Sequence, residues 1–508
     1  VPTLYAAGFA LTLCRPRQAW KIALAVGALG VIVSVLLAAG TLLRSSFSAV
    51  SVDKLGFTGA LLVSLLGWVI IHYSARYLDG EANQRRFVSA MLFTLAAVNL
   101  LVVSQHLLVI VLAWTATSIG LHFLLTHYQE RKAAQIVAHK KFIASRLADL
   151  CLVIALVLVY QAIDSLTLAG LSAGINTLET LPAGLHWAAV LFALAAILKS
   201  AQLPLHGWLI QVMEAPTPVS ALLHAGIVNI GGFVLIRMAE LISLAPAAQT
   251  LLVVTGSVTA VLASLVMMTR ISIKVRLAWS TCAQMGFMLL EVGLGLYELA
   301  LLHLVAHSLY KAHAFLSAGD RVETARSHDF FINPVTARAL PSYLGAALIS
   351  GILVAGSAGI WRAFMPDFTV PAIALAIVAL GLAPLLWFEQ GAGFSAPLRG
   401  CARVVGLAQL YLLWHALFAG LVPTASAAAP ALLVWVLLSF GALYATQVWL
   451  RRYPQGRLAE TLYPWAYCGF YLDETFTRLT FKLWPAKLSP LQAQTLVNRN
   501  PAQQGDTL

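Results

Sequence analysis

Long apolar runs separated by short polar connections recur from one end of the chain to the other. Runs of this length read as membrane-crossing helices, which need about 20 predominantly apolar residues. The predicted spans are 2–13, 22–43, 55–74, 87–103, 106–126, 142–162, 187–209, 218–242, 248–268, 277–296, 298–319, 342–363, 371–388, 404–421 and 428–450. They are too long and too uniformly apolar for barrel strands. The expected fold class is therefore an all-α polytopic membrane protein with about 13–15 transmembrane helices. One membrane domain, 1–450, precedes a tail, 451–508, that opens on the aromatic stretch "LYPWAYCGFYLDETFTRLTFKLWP" and closes on a polar end. The aromatic part suits a membrane surface or a docked partner.

Two spans look interrupted. At 198–224 the chain reads "LKSAQLPLHGWLIQVMEAPTPVSALLH", and Pro204 removes a backbone donor inside span 7. Span 12 contains "GILVAGSAGIWRAFMPDF", with three glycines and Arg362 near its end. Interrupted helices at matching places in two halves mark inverted-repeat transporters, whose ion sites sit beside the breaks.

Composition agrees: of 508 residues, 60% are hydrophobic and 10% charged, with a mean hydropathy of +0.84. A soluble domain carries about 25% charged residues. The net charge of +12 is placed by topology. Odd-numbered connections hold Arg15, Arg17, Lys21, Arg76, Arg85, Arg86, Arg131, Lys132, Lys140, Lys141 and Arg146, and later ones continue the trend. Even-numbered connections hold only Arg44, Lys54, Arg237 and Arg362. This alternation puts the N-terminus outside and the tail in the cytoplasm, and it is no nucleic-acid footprint. The five cysteines are scattered without a CxxC pair, which argues against a disulfide framework, an iron–sulfur cluster or a zinc site made by this chain alone. No glycine-rich phosphate loop follows a strand, so NADH, flavin and ATP have no evident site. Any transport must draw on an ion gradient or a partner.

Ionisable residues within the spans carry the candidate chemistry, because each costs several kcal/mol in hydrocarbon without a partner or a water path. Lys199 stands at the end of an apolar run beside Pro204, His206 and His224. Snorkelling to an interface is the bland alternative, but these neighbours favour a buried hydrated path, and a desolvated lysine suits reversible protonation. His303, His307 and Lys311 are spaced by four and stack on one helix face, as a proton relay would. Zinc on the two histidines lacks an evident third ligand. Arg146 and Asp149 form an i, i+3 pair near the start of span 6, and Asp149 could also neutralise Lys199. Glu214 could do the same or end a helix. Arg362 can tune a neighbour but cannot shuttle protons.

The strings "KSAQLPLHGWLIQVMEAPTPVSALLHAG" and "IKVRLAWSTCAQMGFMLLEVGLGLYELALLHLVAHSLYKAHAFLSAG" resemble the antiporter-like membrane subunits of respiratory complex I, above all the L/5 type, and of Mrp sodium–proton antiporters. The resemblance implies two inverted five-helix repeats, broken helices in spans 7 and 12, and a central hydrophilic axis. It makes Lys199 the first-half lysine, His224 a linking histidine, and His303, His307 and Lys311 the central and second-half relay, with Asp149, Glu214, Arg146 and Arg362 as countercharges or tuning groups. The chain departs from that pattern in four places. Thr115 follows Trp114 where the family has glutamate, Gln211 replaces the aspartate of "WLPDAM", Arg362 stands where the family has a lysine in span 12, and the chain ends soon after "YLDETFTRL".

Within the family the chain is most similar to the short membrane subunit of DAB-type inorganic carbon accumulation complexes. That resemblance implies a proton- or cation-translocating subunit, with no catalytic site or cofactor of its own, in a prokaryotic plasma (inner) membrane. Its partner would be a large soluble zinc-binding, β-carbonic-anhydrase-like subunit of the DabA type on the cytoplasmic side, with ion flow coupled to CO2 hydration. The alternatives are a proton-pumping or Na+/H+ antiporter subunit of a complex I-like NADH–quinone oxidoreductase, membrane hydrogenase or Mrp complex, and a structural anchor with a degenerate path.

Overall fold

The computed structural model describes residues 1–43, 53–319, 340–366, 368–388, 395–422 and 428–484. Those residues are helical, apart from connections and one isolated bridge between His106 and Thr167. The first helices are α1 (Pro2–Cys14), α2 (Ala19–Leu43), α3 (Lys54–Tyr77), α4 (Gln84–Val103), α5 (Leu107–Leu125), α6 (Lys132–Ile163), α7 (Leu168–Asn176) and α8 (Ala183–Lys199). After a break come α9 (Gly207–Ile210), α10 (Thr217–Ala225), α11 (Ile230–Arg237), α12 (Ala239–Ser243), α13 (Pro246–Met268), α14 (Ile273–Gly293) and α15 (Tyr297–Leu316). The last group is α16 (Leu340–Phe364), α17 (Ala372–Leu382), α18 (Ser395–Phe418), α19 (Pro430–Arg452), α20 (Arg457–Tyr467) and α21 (Leu472–Leu483). Ten described helical segments are long and apolar enough to cross a membrane, and three shorter apolar ones accompany them. The protein is a multi-pass α-helical membrane protein.

Helix α6 shows how the sequence sorts its two surfaces. Leu147, Leu150, Val153, Ile154 and Val157 form an exposed apolar stripe at helical spacing. Ala148, Leu152, Ala155 and Val159, on the opposite face, are fully buried. In water such a stripe would be a liability, but lipid tails match it. Small residues do the rest of the packing. A Cβ on Gly256 in α13 would lie 2.5 Å from the Gly286 carbonyl of α14, and one on Gly286 would lie 2.6 Å from that of Gly256. The two backbones touch, as small residues allow between membrane helices.

The break expected in span 7 is present between α8 and α9. The backbone groups it frees find side-chain partners. The Leu203 N–H donates to Thr259 Oγ1 at 3.3 Å, and Cys282 Sγ donates to the Ala201 carbonyl at 3.4 Å. Ala201 sits at φ 52, a left-handed conformation costing about 1–2 kcal/mol for a non-glycine residue. Pro204, in a cis peptide with Leu203, occupies the break.

Three expectations change. Span 8, predicted as one helix over 218–242, is divided into α10, α11 and α12. Asn229 covers the first interruption, donating to the Ala225 carbonyl at 3.1 Å and to Ser308 Oγ of α15 at 2.7 Å. Span 12, expected to be broken, is the continuous α16. No proline lies between Pro341, in its first turn, and Pro366 beyond its end. Its glycines lower helix propensity by about 1 kcal/mol each but leave every interior N–H in place. Span 6 starts ten residues early, at Lys132 rather than 142, so Lys140 and Lys141 belong to a helix and not to a connection.

A Gly256→Val substitution forces α13 and α14 apart. It should lower the thermal unfolding temperature of the detergent-solubilised protein by several degrees, an overpacking cost of about 1–3 kcal/mol, whereas Gly351→Ala on α16, where a Cβ meets nothing within 4 Å, should leave it unchanged.

Candidate functional site: a buried series of ionisable side chains

The first cluster lies where α5, α6 and α8 meet. Lys199 is the last residue of α8, with its side chain 4% exposed. Its Nζ lies 2.6 Å from Asp149 Oδ1 of α6 and 4.8 Å from the centre of the Trp114 ring. Arg146, one turn earlier on α6, holds Asp149 Oδ2 at 2.7 Å. Desolvating two charges costs several kcal/mol per ion, and the pair survives because each charge has a close opposite partner. Thr115, next to Trp114, brings no carboxylate; the countercharge comes from Asp149 on the next helix. Lys141 is also buried, donating to the Ser118 carbonyl at 3.0 Å and interacting electrostatically with Lys199, Arg146 and Asp149.

The second cluster is built by α10, α14 and α15. Lys311 is fully buried and donates to Ser280 Oγ at 2.7 Å and to the Leu277 carbonyl at 3.2 Å, both from α14. One turn away, His307 is buried with neither ring nitrogen hydrogen-bonded. His224 of α10 is likewise buried and unbonded, stacked 4.4 Å from Phe315. Lys311, His307 and His224 interact electrostatically, and His307 also interacts with His303. His303 Nδ1 meets Glu291 Oε2 of α14 at 2.8 Å. This last pair lines an open-sided cavity of about 380 Å³ with Gln284, Tyr411 and Trp414.

The two breaks connect the clusters. Ser200, next to Lys199, lies directly against Gly231 of α11, where any Cβ would sit 2.2 Å from Ser200 Oγ. Two residues before Gly231, Asn229 bonds Ser308, the neighbour of His307. Ser200 and Asn229 thus place a polar side chain at each interrupted segment between the two groups, with the Ser200 hydroxyl itself unbonded.

The structure brings together Arg146, Asp149 and Lys199 in one group, and His224, His303, His307 and Lys311 in another. Glu214 belongs to neither: it is half-exposed, at 3.8 Å from Arg131. The 3-10 turn Gln211–Glu214 directs it to the surface, so it is not the countercharge of Lys199. Arg362 is exposed at the end of α16, outside the buried series. Sequence reasoning passed over Glu291, Lys140 and Lys141. Glu291 is a lone carboxylate in an apolar run, the signal used for the other sites; the two lysines were absorbed into the basic connection. Among the described residues no three His, Cys, Asp or Glu side chains gather as metal ligands.

Residues 104–383, the stretch that holds both clusters, match the family described as NADH:quinone oxidoreductase/Mrp antiporter, TM. The chain belongs to this family. A probable inorganic carbon transporter subunit DabB of Hydrogenovibrio crunogenus is 38% identical over 96% of this chain and 94% of its own. DabB2 of Halothiobacillus neapolitanus, also named a probable inorganic carbon transporter subunit, is 39% identical over 89% of this chain and 84% of its own. NADH-quinone oxidoreductase subunit L of Mycobacterium tuberculosis is 35% identical, over 53% of this chain and 42% of its own. Among solved structures, a chain of the archaeal membrane-bound sulfane sulfur reductase matches 94% of this chain and 97% of its own, at 15% identity and TM-score 0.57. A chain of the Mrp complex from a Dietzia species matches 99% of this chain at 23% identity and TM-score 0.55; this protein spans 56% of it. These two likenesses concern the fold. The antiporter-like membrane fold is thus established, and the relatives are subunits of multi-subunit membrane complexes.

Removing Asp149 tests the first cluster. Asp149→Ala leaves Lys199 beside Arg146 without its countercharge and should destabilise the protein by about 3–5 kcal/mol. Adding Lys199→Met should recover most of that loss. Thermal unfolding of the purified variants decides it: a single variant that melts like the unaltered protein removes the pair from the account.

Proposed function

We propose that this protein is the proton- or cation-translocating membrane subunit of a two-component, gradient-powered inorganic carbon uptake complex. The observation behind the reading is the extent of two likenesses: the DabB of Hydrogenovibrio crunogenus and the DabB2 of Halothiobacillus neapolitanus match 96% and 89% of this chain, whereas subunit L of Mycobacterium tuberculosis matches 53%. The buried series supplies the conducting part. Asp149 and Lys199 exchange protons at the first break, His224 links the halves, and Lys311, His307 and His303 pass the charge to Glu291 and its cavity. Unbonded ring nitrogens on His224 and His307 suit groups that pick up and release protons, since a buried imidazole without a partner otherwise costs about 1–3 kcal/mol.

Ion flow down its gradient drives or gates a soluble partner that hydrates CO2, and the bicarbonate stays in the cell. The zinc for that chemistry belongs to the partner, a β-carbonic-anhydrase-like subunit on the cytoplasmic side. The charge alternation puts that side at the connections rich in Arg and Lys, and the membrane is the plasma membrane of a prokaryote.

Gentle purification from native membranes should retain a large soluble subunit with about one zinc per copy. Recovery of flavin, iron–sulfur clusters or several antiporter-like subunits would return the protein to respiratory or Mrp assemblies. In cells that depend on the complex at ambient CO2, His307→Ala should cut inorganic carbon accumulation at least tenfold without lowering the amount of protein in the membrane; unchanged accumulation would leave only a structural anchor.

A further inference from the structure

The tail does more than lie along the surface. Helix α21 packs on α6 and α9, with Phe476 and Thr480 buried. Its far end is held by Trp484, stacked on His139 of α6 at 4.0 Å and 8°. Its first turn carries Asp473, whose Oδ2 accepts from Lys140 Nζ at 2.7 Å, from Gln211 Nε2 at 3.4 Å and from Thr477 Oγ1 at 3.1 Å. Lys140 also reaches Gln211 Oε1 at 3.2 Å. The other carboxylate oxygen, Oδ1, is buried without a partner. It lies over Gly207, where a Cβ would come within 1.8 Å of it, so a larger residue opening α9 would displace the carboxylate.

Exposure decides what this contact can do. The Lys140 side chain is 0% exposed and that of Asp473 is 22%. A wholly buried lysine is therefore paired with a partly exposed side chain that the tail provides. Gln211, uncharged, stands beside them and cannot take a proton. The titratable groups facing Asp473 are Lys140 from α6 and His206 from the break, which interacts with it electrostatically. Lys141, the next residue along α6, belongs to the Asp149–Lys199 group.

We infer that Asp473 is a proton-exchanging residue of the first-half path, supplied by the tail at the Arg- and Lys-rich face. The inference rests on the cation-conducting reading above and extends it to the solvent. The Lys140 ammonium gives a proton to neutral His206 of the break, which interacts electrostatically with both Lys140 and Asp473. Protonated Asp473 then restores that ammonium, and the Asp473 carboxylate takes a new proton from water, so charge and protons balance over the cycle. The same geometry makes the tail part of the conducting unit, because undocking α21 would take away the carboxylate that pairs Lys140 and leave it the Gln211 hydrogen bond.

The test is proton flux into vesicles reconstituted with the full-length protein and the subunits that co-purify with it. An imposed gradient drives the flux, and an internal pH dye reports it. Asp473→Asn keeps an oxygen for Lys140 but cannot carry a proton; it should slow flux at least tenfold, with α21 still protected from trypsin at Arg478. Asp473→Glu should keep at least a third of the flux. Asparagine-variant flux equal to that of the unaltered protein would overturn the inference and leave the conducting reading standing. So would equal loss of flux and of trypsin protection in both variants, which would make Asp473 a clamp. No flux in the unaltered protein would remove the conducting reading and this inference with it.

Discussion

A lysine ammonium and an aspartate carboxylate 2.6 Å apart, inside a helix bundle that faces lipid, set the terms for the rest of the molecule. The buried Lys199 ammonium depends on Asp149 for its countercharge, and a second cation, Arg146, holds the other oxygen of that carboxylate. The constraint reaches outward. Helix α8 has to end at Lys199, so the chain beyond it leaves the helix in mid-bundle. Its freed backbone groups must then be bonded by side chains, which Thr259 and Cys282 provide. Helix α6 has to present an apolar stripe to lipid on one side and ionisable groups to the bundle on the other, and it runs 32 residues to do so.

The second half solves the same problem differently. Lys311 has no carboxylate among its hydrogen-bond partners; a serine hydroxyl and a backbone carbonyl hold it. The carboxylate of that half, Glu291, pairs instead with His303 beside an open cavity. Between the halves, Asn229 satisfies the end of α10 and reaches α15 in one step, so the interruption of span 8 also carries the polar contact across. A carboxylate-paired lysine at one end and a carboxylate-paired histidine at the other, with Lys311 and two unbonded histidines between them, is an arrangement through which protons can be passed.

Much of this was legible in the sequence, for a plain reason: hydrocarbon penalises every charge, so a charge kept inside an apolar run announces itself. Lys199, His303, His307 and Lys311 stand out that way, and Pro204 marks the first break by its missing N–H. The failures have physical causes too. The interruption at Gly226 contains no proline, so nothing in the pattern marked it. The glycines of α16 suggested a break that intact backbone hydrogen bonding does not require. Lys140 and Lys141 read as loop charges because basic residues usually end a span, while here each has a partner, Asp473 for the first and the Ser118 carbonyl for the second. The partner of Lys140 lies 333 residues away, beyond the reach of any local pattern. Glu214 and Arg362 looked equivalent to the buried groups by type and position; only packing shows that they face outward.

The central claim is that the buried series conducts. The most direct measurement is gradient-driven proton flux through the reconstituted protein, compared with that of Lys199→Met, which fills the same space without a titratable group. The unaltered protein should dissipate an imposed pH gradient rapidly and the variant at least tenfold more slowly, with both proteins equally abundant and folded in the vesicles. Equal rates would contradict it, because a path that does not need Lys199 is not the one described here.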